Sequence, residues 1–384
     1  MKRACLQQNT NTYEQNHASS IRPLKINFVR MKNSGNLFIV LLFSIFILSC
    51  EKPNDNKSNN SFLHGVMITN EGNFRDNNGS VSYLPLTEDT VINNVFETVN
   101  GRPLGDVVMS FASWKNKGFI VANNSGKVEV VDLKTFQSAG IIELTYPRHV
   151  IISNDGKGYI TYGAFPGKVK VFNPETLEAI TDITVGNQPE KMMIDGDKLL
   201  VANGQWGNDS TVSIINRITN EVVSTIVAGD GPVAFARDGS GSVWVLCQGK
   251  VVYSSDWSYI EYETDSKLVS LRPGSYEPSK SYVIGHQGDS FNPSSVACDP
   301  IGQYIYFVES EGVFTFRISD SQIPLTPLIS GSFNSVNVNP LNGRLYVTEI
   351  QGYTASGKLH TFTPAGQTVN TFVVGIAPNR VYFY

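Results

Sequence analysis

From residue 65 onward the chain is built from short apolar runs, each four residues long and each closed by a polar residue, a glycine or a cysteine. They read VMIT before Asn70, FIVA before Asn123, YITY before Gly163, LLVA before Asn203, VWVL before Cys247, IYFV before Glu309 and LYVT before Glu349. The steps between these closing residues are 53, 40, 40, 44, 62 and 40. Runs this short, rich in β-branched and aromatic residues, predict strands buried on both faces. A second set follows each of them and alternates apolar with polar positions: GSVSYLP, GKVEVVDL, GKVKVFNP, STVSIINR, SKLVSLRP, GVFTFRIS and GKLHTFTP. Alternation predicts half-buried strands, and most of these runs open on the glycine of a tight turn. A third set precedes each anchor: DVVMSFA, RHVIISN, EKMMID, PVAFARD, PSSVACD, FNSVNVN and, at the very end, NRVYFY. After residue 50 no window longer than about ten residues carries a helical period.

Seven copies near a 40-residue period match the length of a propeller blade, four short strands with their turns. The sequence therefore predicts an all-β protein, a seven-bladed β-propeller over residues 63–384. Two stacked sandwiches fit the triplets less well. The phase of the repeat adds a detail. The chain enters on a second-strand run, GVMITN, and leaves on a first-strand run, NRVYFY. Residues 379–384 should therefore complete the blade that residues 65–100 begin, which removes the open edge. The long step of 62 holds GKVVYSSDWSYIEYETD at 249–265, read as an insertion in the fifth blade, possible as an extra hairpin.

In a propeller, first strands start and second strands end at one rim. Strand positions must repeat because blades pack on one another, but the residues just beyond them face solvent or ligand. At the second-strand ends these are Asn70, Glu71 and Phe74, then Asn124, Phe165, Gln205, Trp206, Gln248, Glu309, Glu349 and Tyr353. The loops between blades add Arg102, Arg148, Asn292, Phe333 and Arg380, with Asn123, Asn203, Lys191, Asn334 and Asn379 on the same rim. Amides donate and accept together, and aromatic rings stack. The mixture suits a large, mostly neutral ligand with a polar periphery. Any single asparagine is explained equally well by turn geometry. Phe74, Phe165 and Trp206 are better explained as ligand contacts. Glu71, Glu309 and Glu349 could gather at the channel around a cation, although isolated hydrogen-bonding roles fit them better.

Residues 31–50, MKNSGNLFIVLLFSIFILSC, carry one lysine and twelve nearly all-apolar residues, too few to span a bilayer and right for a signal peptide over 31–49. The segment ends Ile47-Leu48-Ser49-Cys50, which resembles a bacterial lipobox with Cys50 as the lipidated residue. An ordinary membrane anchor or a buried strand is the alternative. Residues 1–30 are expected to be an over-long gene start, with Met31 the true one. Residues 50–62, rich in Asn, Ser, Lys and Asp, predict a flexible tether. Without residues 1–50, which hold six basic and one acidic residue, the chain keeps 24 Lys+Arg against 33 Asp+Glu, a net charge of about −9. That disfavours nucleic acid and anionic lipid as partners. Cys247 and Cys298 fall in different blades and read as small buried hydrophobes. His64, His149, His286 and His360 show no metal-ligand spacing, and no nucleophile elbow, P-loop or zinc-protease motif occurs. No metal, no cofactor and no enzyme activity are expected.

The segments VANNSGKVEVVDLKTF, GKVKVFNPETLEAITDITVGNQPEKM and STVSIINRITNEVVSTIVAGDGPVA resemble the YncE-like, or YVTN-type, seven-bladed propellers over most of residues 115–350. NEGNF, NGSVSYL, PLGDVVMSF, NNSGKVEVVD and YPRHV look like a narrower group, the lipoprotein propellers of the Bacteroidetes. Some members of that group (BtuG-like) capture cobalamin at the outer-membrane surface and sit as a lid on a TonB-dependent transporter. The resemblance implies a lipid-anchored outer-membrane protein, surface-exposed or facing the periplasm, that binds cobalamin or another corrinoid for such a transporter. A protein-interaction propeller without a small ligand, and a glycan-binding propeller, are the alternatives.

Overall fold

The computed structural model describes residues 61–86, 89–285 and 293–384. The expected signal peptide, its Cys50, the tether up to residue 60 and Asn292 lie outside the described residues. Within them the strands form seven radial sheets. Six have four strands in sequence order, and the blade that joins the chain ends has three, ordered Ser80–Pro85, Gly65–Asn70, Pro378–Phe383. We number that closing blade 1 and the rest in chain order.

Closure is by antiparallel pairing of the last strand with the first, Val66 opposite Phe383 and Ile68 opposite Val381. Among the described residues blade 1 has no fourth strand. A single two-way rung between Tyr83 and Ile92 stands in its place, with N–O distances of 2.8 Å each way. Behind it the short helix Val95–Asn100 buries Val95 and Phe96. Phe62, assigned to the tether by sequence, packs edge-on between Tyr83 and Phe136, and its N–H donates to Leu133 O at 2.7 Å.

The core is divided into seven apolar clusters among the described residues, one at each junction between successive blades. The second strands explain this. Met67 points into the junction with blade 2, while Val66 and Ile68 point into the junction with blade 7. In blade 2, Ile120 faces blade 1, and Phe119 and Val121 face blade 3. A strand buried on both faces needs an unbroken apolar run, hence VMIT and FIVA. The outer strands touch little; Glu221–Val227 is exposed at nearly every position. The expected insertion in blade 5 is a separate two-stranded hairpin, Val251–Tyr253 with Ile260–Glu263.

Junction packing and closure should therefore dominate stability. Val381, 4% exposed at the junction of blades 7 and 1, is expected to tolerate no charge. Val381→Asp should cost about 3 kcal/mol or more, from an unpaired buried carboxylate. Replacing residues 251–263 by a short Gly-Ser turn should move the midpoint by no more than about 3 °C. Thermal unfolding followed by circular dichroism checks both; equal losses would contradict this division of labour.

Candidate functional site

The loop after Asn70 shows how one rim segment splits its duties. Asn70 is fully buried, and its Nδ2 donates to Ser82 Oγ at 3.0 Å and Ser80 Oγ at 3.2 Å. Asn203 repeats the device in blade 4, donating to Ser213 Oγ at 2.9 Å and Thr211 Oγ1 at 3.1 Å. Each amide clamps the end of a second strand to the start of the third. These asparagines are structural, and Asn70 does not face the opening as expected. Beyond Asn70 the backbone of Glu71 and Gly72 is held by the carbonyls of Ala377 and Ile376. Gly72 has φ of 81°, and a Cβ there would lie 2.4 Å from Asn78 Oδ1. That sharp turn lifts Phe74 to the rim, 57% exposed, with the Arg75 guanidinium 5.0 Å from its ring.

Across the opening, Gln205–Gly207 forms one tight turn in which Trp206 takes φ of 59°. The Gln205 N–H donates to Gln188 O, which fixes the turn against the neighbouring loop. Trp206 is 62% exposed and Tyr353 54%. These aromatics surround a chamber of about 420 Å³ at the channel mouth. The structure brings together Glu71, Phe74, Arg148, Gln205, Trp206, Gln248, Tyr353 and Arg380 around it, eight of the side chains singled out by sequence. Asn123, Asn334 and Asn379 from the same rim also line it.

The other sequence candidates lie elsewhere. Arg102 is drawn to the buried Glu129 of blade 2 by a two-pronged contact, 2.7 and 3.2 Å, and stacks over Phe96. The long connection carrying the helix removes it from the mouth. Asn124 hydrogen-bonds Asp106. Phe165 is exposed on a rim loop tied to Gln188 through Ala164 O, but its ring does not line the chamber. Glu309 is buried and bonded to its neighbour Ser310. Phe333 packs edge-on against His360 and Phe362 in the core between blades 6 and 7. Glu349 is taken by His360 and Gln351, both at 2.6 Å. The three glutamates thus do not converge, and the described residues hold no cluster of three metal-ligating side chains.

Below the mouth lies a buried charge network that the sequence reading did not find. Glu190, from the first strand of blade 4, accepts from Arg148 Nε at 2.8 Å and sits 3.0 Å from His149 Nε2. Burial opposes its ionisation, but the Arg148 guanidinium and the His149 N–H outweigh that and hold the carboxyl at about 2. Burial likewise keeps His149 neutral, down to about 4 despite Glu190. Glu71 is pushed the other way, upward, because burial exceeds the help it gets from the Asn379 amide at 3.0 Å. Asn379 also donates to Val108 O at 3.1 Å, so the closing strand is stitched to the chamber floor. Glu190 and His149 were missed because neighbouring positions of a first strand point oppositely, and only the strand's start betrays which side meets the channel. The network gives a rigid polar neck beneath an aromatic mouth. That arrangement can hold a bound molecule by stacking and hydrogen bonds without covalent chemistry.

The family model described as a domain of unknown function, DUF5074, matches residues 64–383. Among solved structures the chain is similar to a quinonprotein alcohol dehydrogenase-like protein from Bacteroides thetaiotaomicron, at 15% identity and TM-score 0.62 over 84% of this chain and 78% of that one. It is also similar to a functionally unknown protein from Desulfotomaculum acetoxidans, at 11% identity and TM-score 0.58 over 83% and 98%. At these identities the likeness shows the fold alone. No curated protein sequence matches the chain.

The His149 environment has a pH consequence. Its folded value is below the ordinary 6.5. The unfolded chain therefore takes up a proton as pH falls through 6.5, while the folded chain refuses it until about 4. Stability should be complete above 6.5 and fall across that window by up to about 1.4 kcal/mol per pH unit. His149→Gln should flatten the change in melting temperature between about pH 7 and pH 5. Parallel wild-type and variant profiles would contradict the assignment.

Proposed function

We propose that this chain, which belongs to the DUF5074 family, is a non-covalent binding protein whose propeller mouth captures a large, mostly neutral ligand with a polar edge, a corrinoid such as cobalamin first among them. The observation that carries the reading is the convergence of three exposed aromatics, Phe74, Trp206 and Tyr353, on a chamber walled by Glu71, Arg148, Gln205 and Gln248. Large apolar side chains held in water on short, tightly bonded loops are costly to keep unless they meet a partner. A flat macrocycle with amide-bearing arms would stack on such rings and hydrogen-bond to the walls. A chamber of about 420 Å³ would take part of so large a molecule and leave the rest above the rim for a second protein.

The segment ending at Cys50 supports a lipid anchor and the tether after it supports a domain held off a membrane. On this proposal the protein works at the outer membrane, presenting its cargo to a TonB-dependent transporter. The resemblance of its rim segments to the cobalamin-capturing lipoprotein propellers favours the corrinoid over a glycan.

Titration of the purified protein with cyanocobalamin should give saturable heat. Trp206→Ala and Phe74→Ala should each weaken binding by about tenfold, as expected for the loss of a stacked aromatic anchor. Val223→Ala, on the exposed outer strand of blade 4, should leave affinity unchanged. Absence of both heat and thermal stabilisation at saturating cyanocobalamin would overturn the corrinoid assignment.

A further inference from the structure

Beneath the mouth the channel continues into a second chamber of about 310 Å³, and Arg380 lines both. Its walls come from first strands, where Ser110, His149, Lys191, Asn337, Arg380 and Tyr382 face inward. Two of these are cations, Lys191 from blade 4 and Arg380 from the closing strand. The acids nearby are already engaged: Glu190 by Arg148 and His149, Glu71 by Asn379. Among the described residues, Lys191 and Arg380 have no carboxylate within 4.0 Å and no side-chain hydrogen bond, and Arg380 Nη1 is shut off from solvent with no acceptor at all.

Two basic side chains facing one cavity with no carboxylate in contact, Glu190 acting on both only from farther off, are expensive to keep charged. Burial, and then Arg380, push Lys191 well below the ordinary lysine range against the pull of Glu190, so an anion in the chamber would favour its protonated form. Around them the cavity offers further donors. The Ser110 hydroxyl accepts from Val150 N at 3.1 Å and keeps its own proton to give, and Asn337 lines the same space. Donors grouped around two basic groups that lack a contacting acid are the chemistry that recognises an oxyanion.

We propose that the inner chamber is an anion site, in which Lys191 and Arg380 bind a phosphate or carboxylate group with Ser110 and Asn337 as supporting donors. The anion reaches it through the mouth, past the guanidinium of Arg380. It is either a free inorganic ion or the acidic arm of whatever molecule occupies the mouth. The site stands apart from the corrinoid reading, since no feature of it depends on what stacks above.

The test is thermal unfolding and calorimetry with sodium phosphate as probe, up to about 50 mM with ionic strength held constant by chloride. Wild type should show saturable stabilisation by phosphate. Lys191→Met removes the amine, which has no contacting partner, without removing bulk. It should raise the melting temperature in phosphate-free buffer and weaken phosphate binding by about tenfold or more. Arg380→Lys, which keeps the charge on the closing strand, should retain a weakened response. Arg102→Gln, remote from the channel, should respond as wild type does. Repeating the titration with cyanocobalamin present separates the sources: mutual exclusion assigns the site to an arm of the mouth ligand, and independent binding to a free ion. No saturable effect of phosphate on wild type, or an undiminished one in Lys191→Met, would overturn the proposal whatever the corrinoid titration gives. A lowered melting temperature for Lys191→Met in phosphate-free buffer would do the same, since it would show the lysine to be a plain structural contact.

Discussion

The second strand of each blade is buried on both sides, and the rest of the molecule follows from that. A strand with Val66 and Ile68 facing one neighbour and Met67 facing the other cannot exist without both neighbours. No blade is stable alone, and an open row of blades would leave one apolar face in water at each end. The ring must close, and the pairing of Pro378–Phe383 with Gly65–Asn70 closes it by ladder hydrogen bonds rather than by packing alone. Each junction buries between seven and thirteen apolar side chains, and burial of that size offsets the entropy of ordering short strands and turns.

Closure also fixes the channel. The first strands are drawn to the axis, where there is no room for large apolar clusters, and they present small or polar groups such as Ser110, Ser295 and Ser335. The acids that enter this space are met by neighbouring strands and loops: Glu190 by Arg148 and His149, Glu71 by the Asn379 amide. Asn379 lies on the last strand, so the contact that completes the ring also shapes the chamber floor. A rim built this way is set before any ligand arrives. Its loops are held by backbone bonds, as Glu71 and Gly72 are by Ala377 and Ile376, and little ordering remains to be done on binding.

Much of this was legible in the sequence because it is governed by burial. Two-sided burial writes an uninterrupted apolar run, and seven such runs near a 40-residue period leave few alternatives. The entry on a second-strand pattern and exit on a first-strand pattern foretold the closing pair. The outer strands were not legible. Glu221–Val227 is exposed almost throughout, so no hydrophobic period marks it as a strand. The missing fourth strand of blade 1, replaced by one rung and a six-residue helix, leaves no pattern either. At the rim the repeat marks where the loops fall but does not choose among their residues. Asn70 and Asn203 follow apolar runs as a ligand contact would, yet their amides turn back onto Ser82 and Ser213. Whether an amide bonds inward depends on a hydroxyl ten or twelve residues away.

The same distinction separates the two chambers. Glu129, Glu309 and Glu349 each find a partner within their own or the adjoining strand, so their charges serve the blade that carries them. Lys191 and Arg380 belong to blades that meet only at the axis, and no acid on a neighbouring strand reaches them. A fold that satisfies Glu190 with two partners and leaves two cations beside it with none has an imbalance that internal packing does not remove. Basic groups without a contacting acid are costly in an interior, and groups perturbed in this way concentrate at functional sites. The position of that imbalance, where first strands converge beneath the exposed aromatics of the mouth, is why the proposed anion site would make the channel part of the proposed binding site rather than filler between blades.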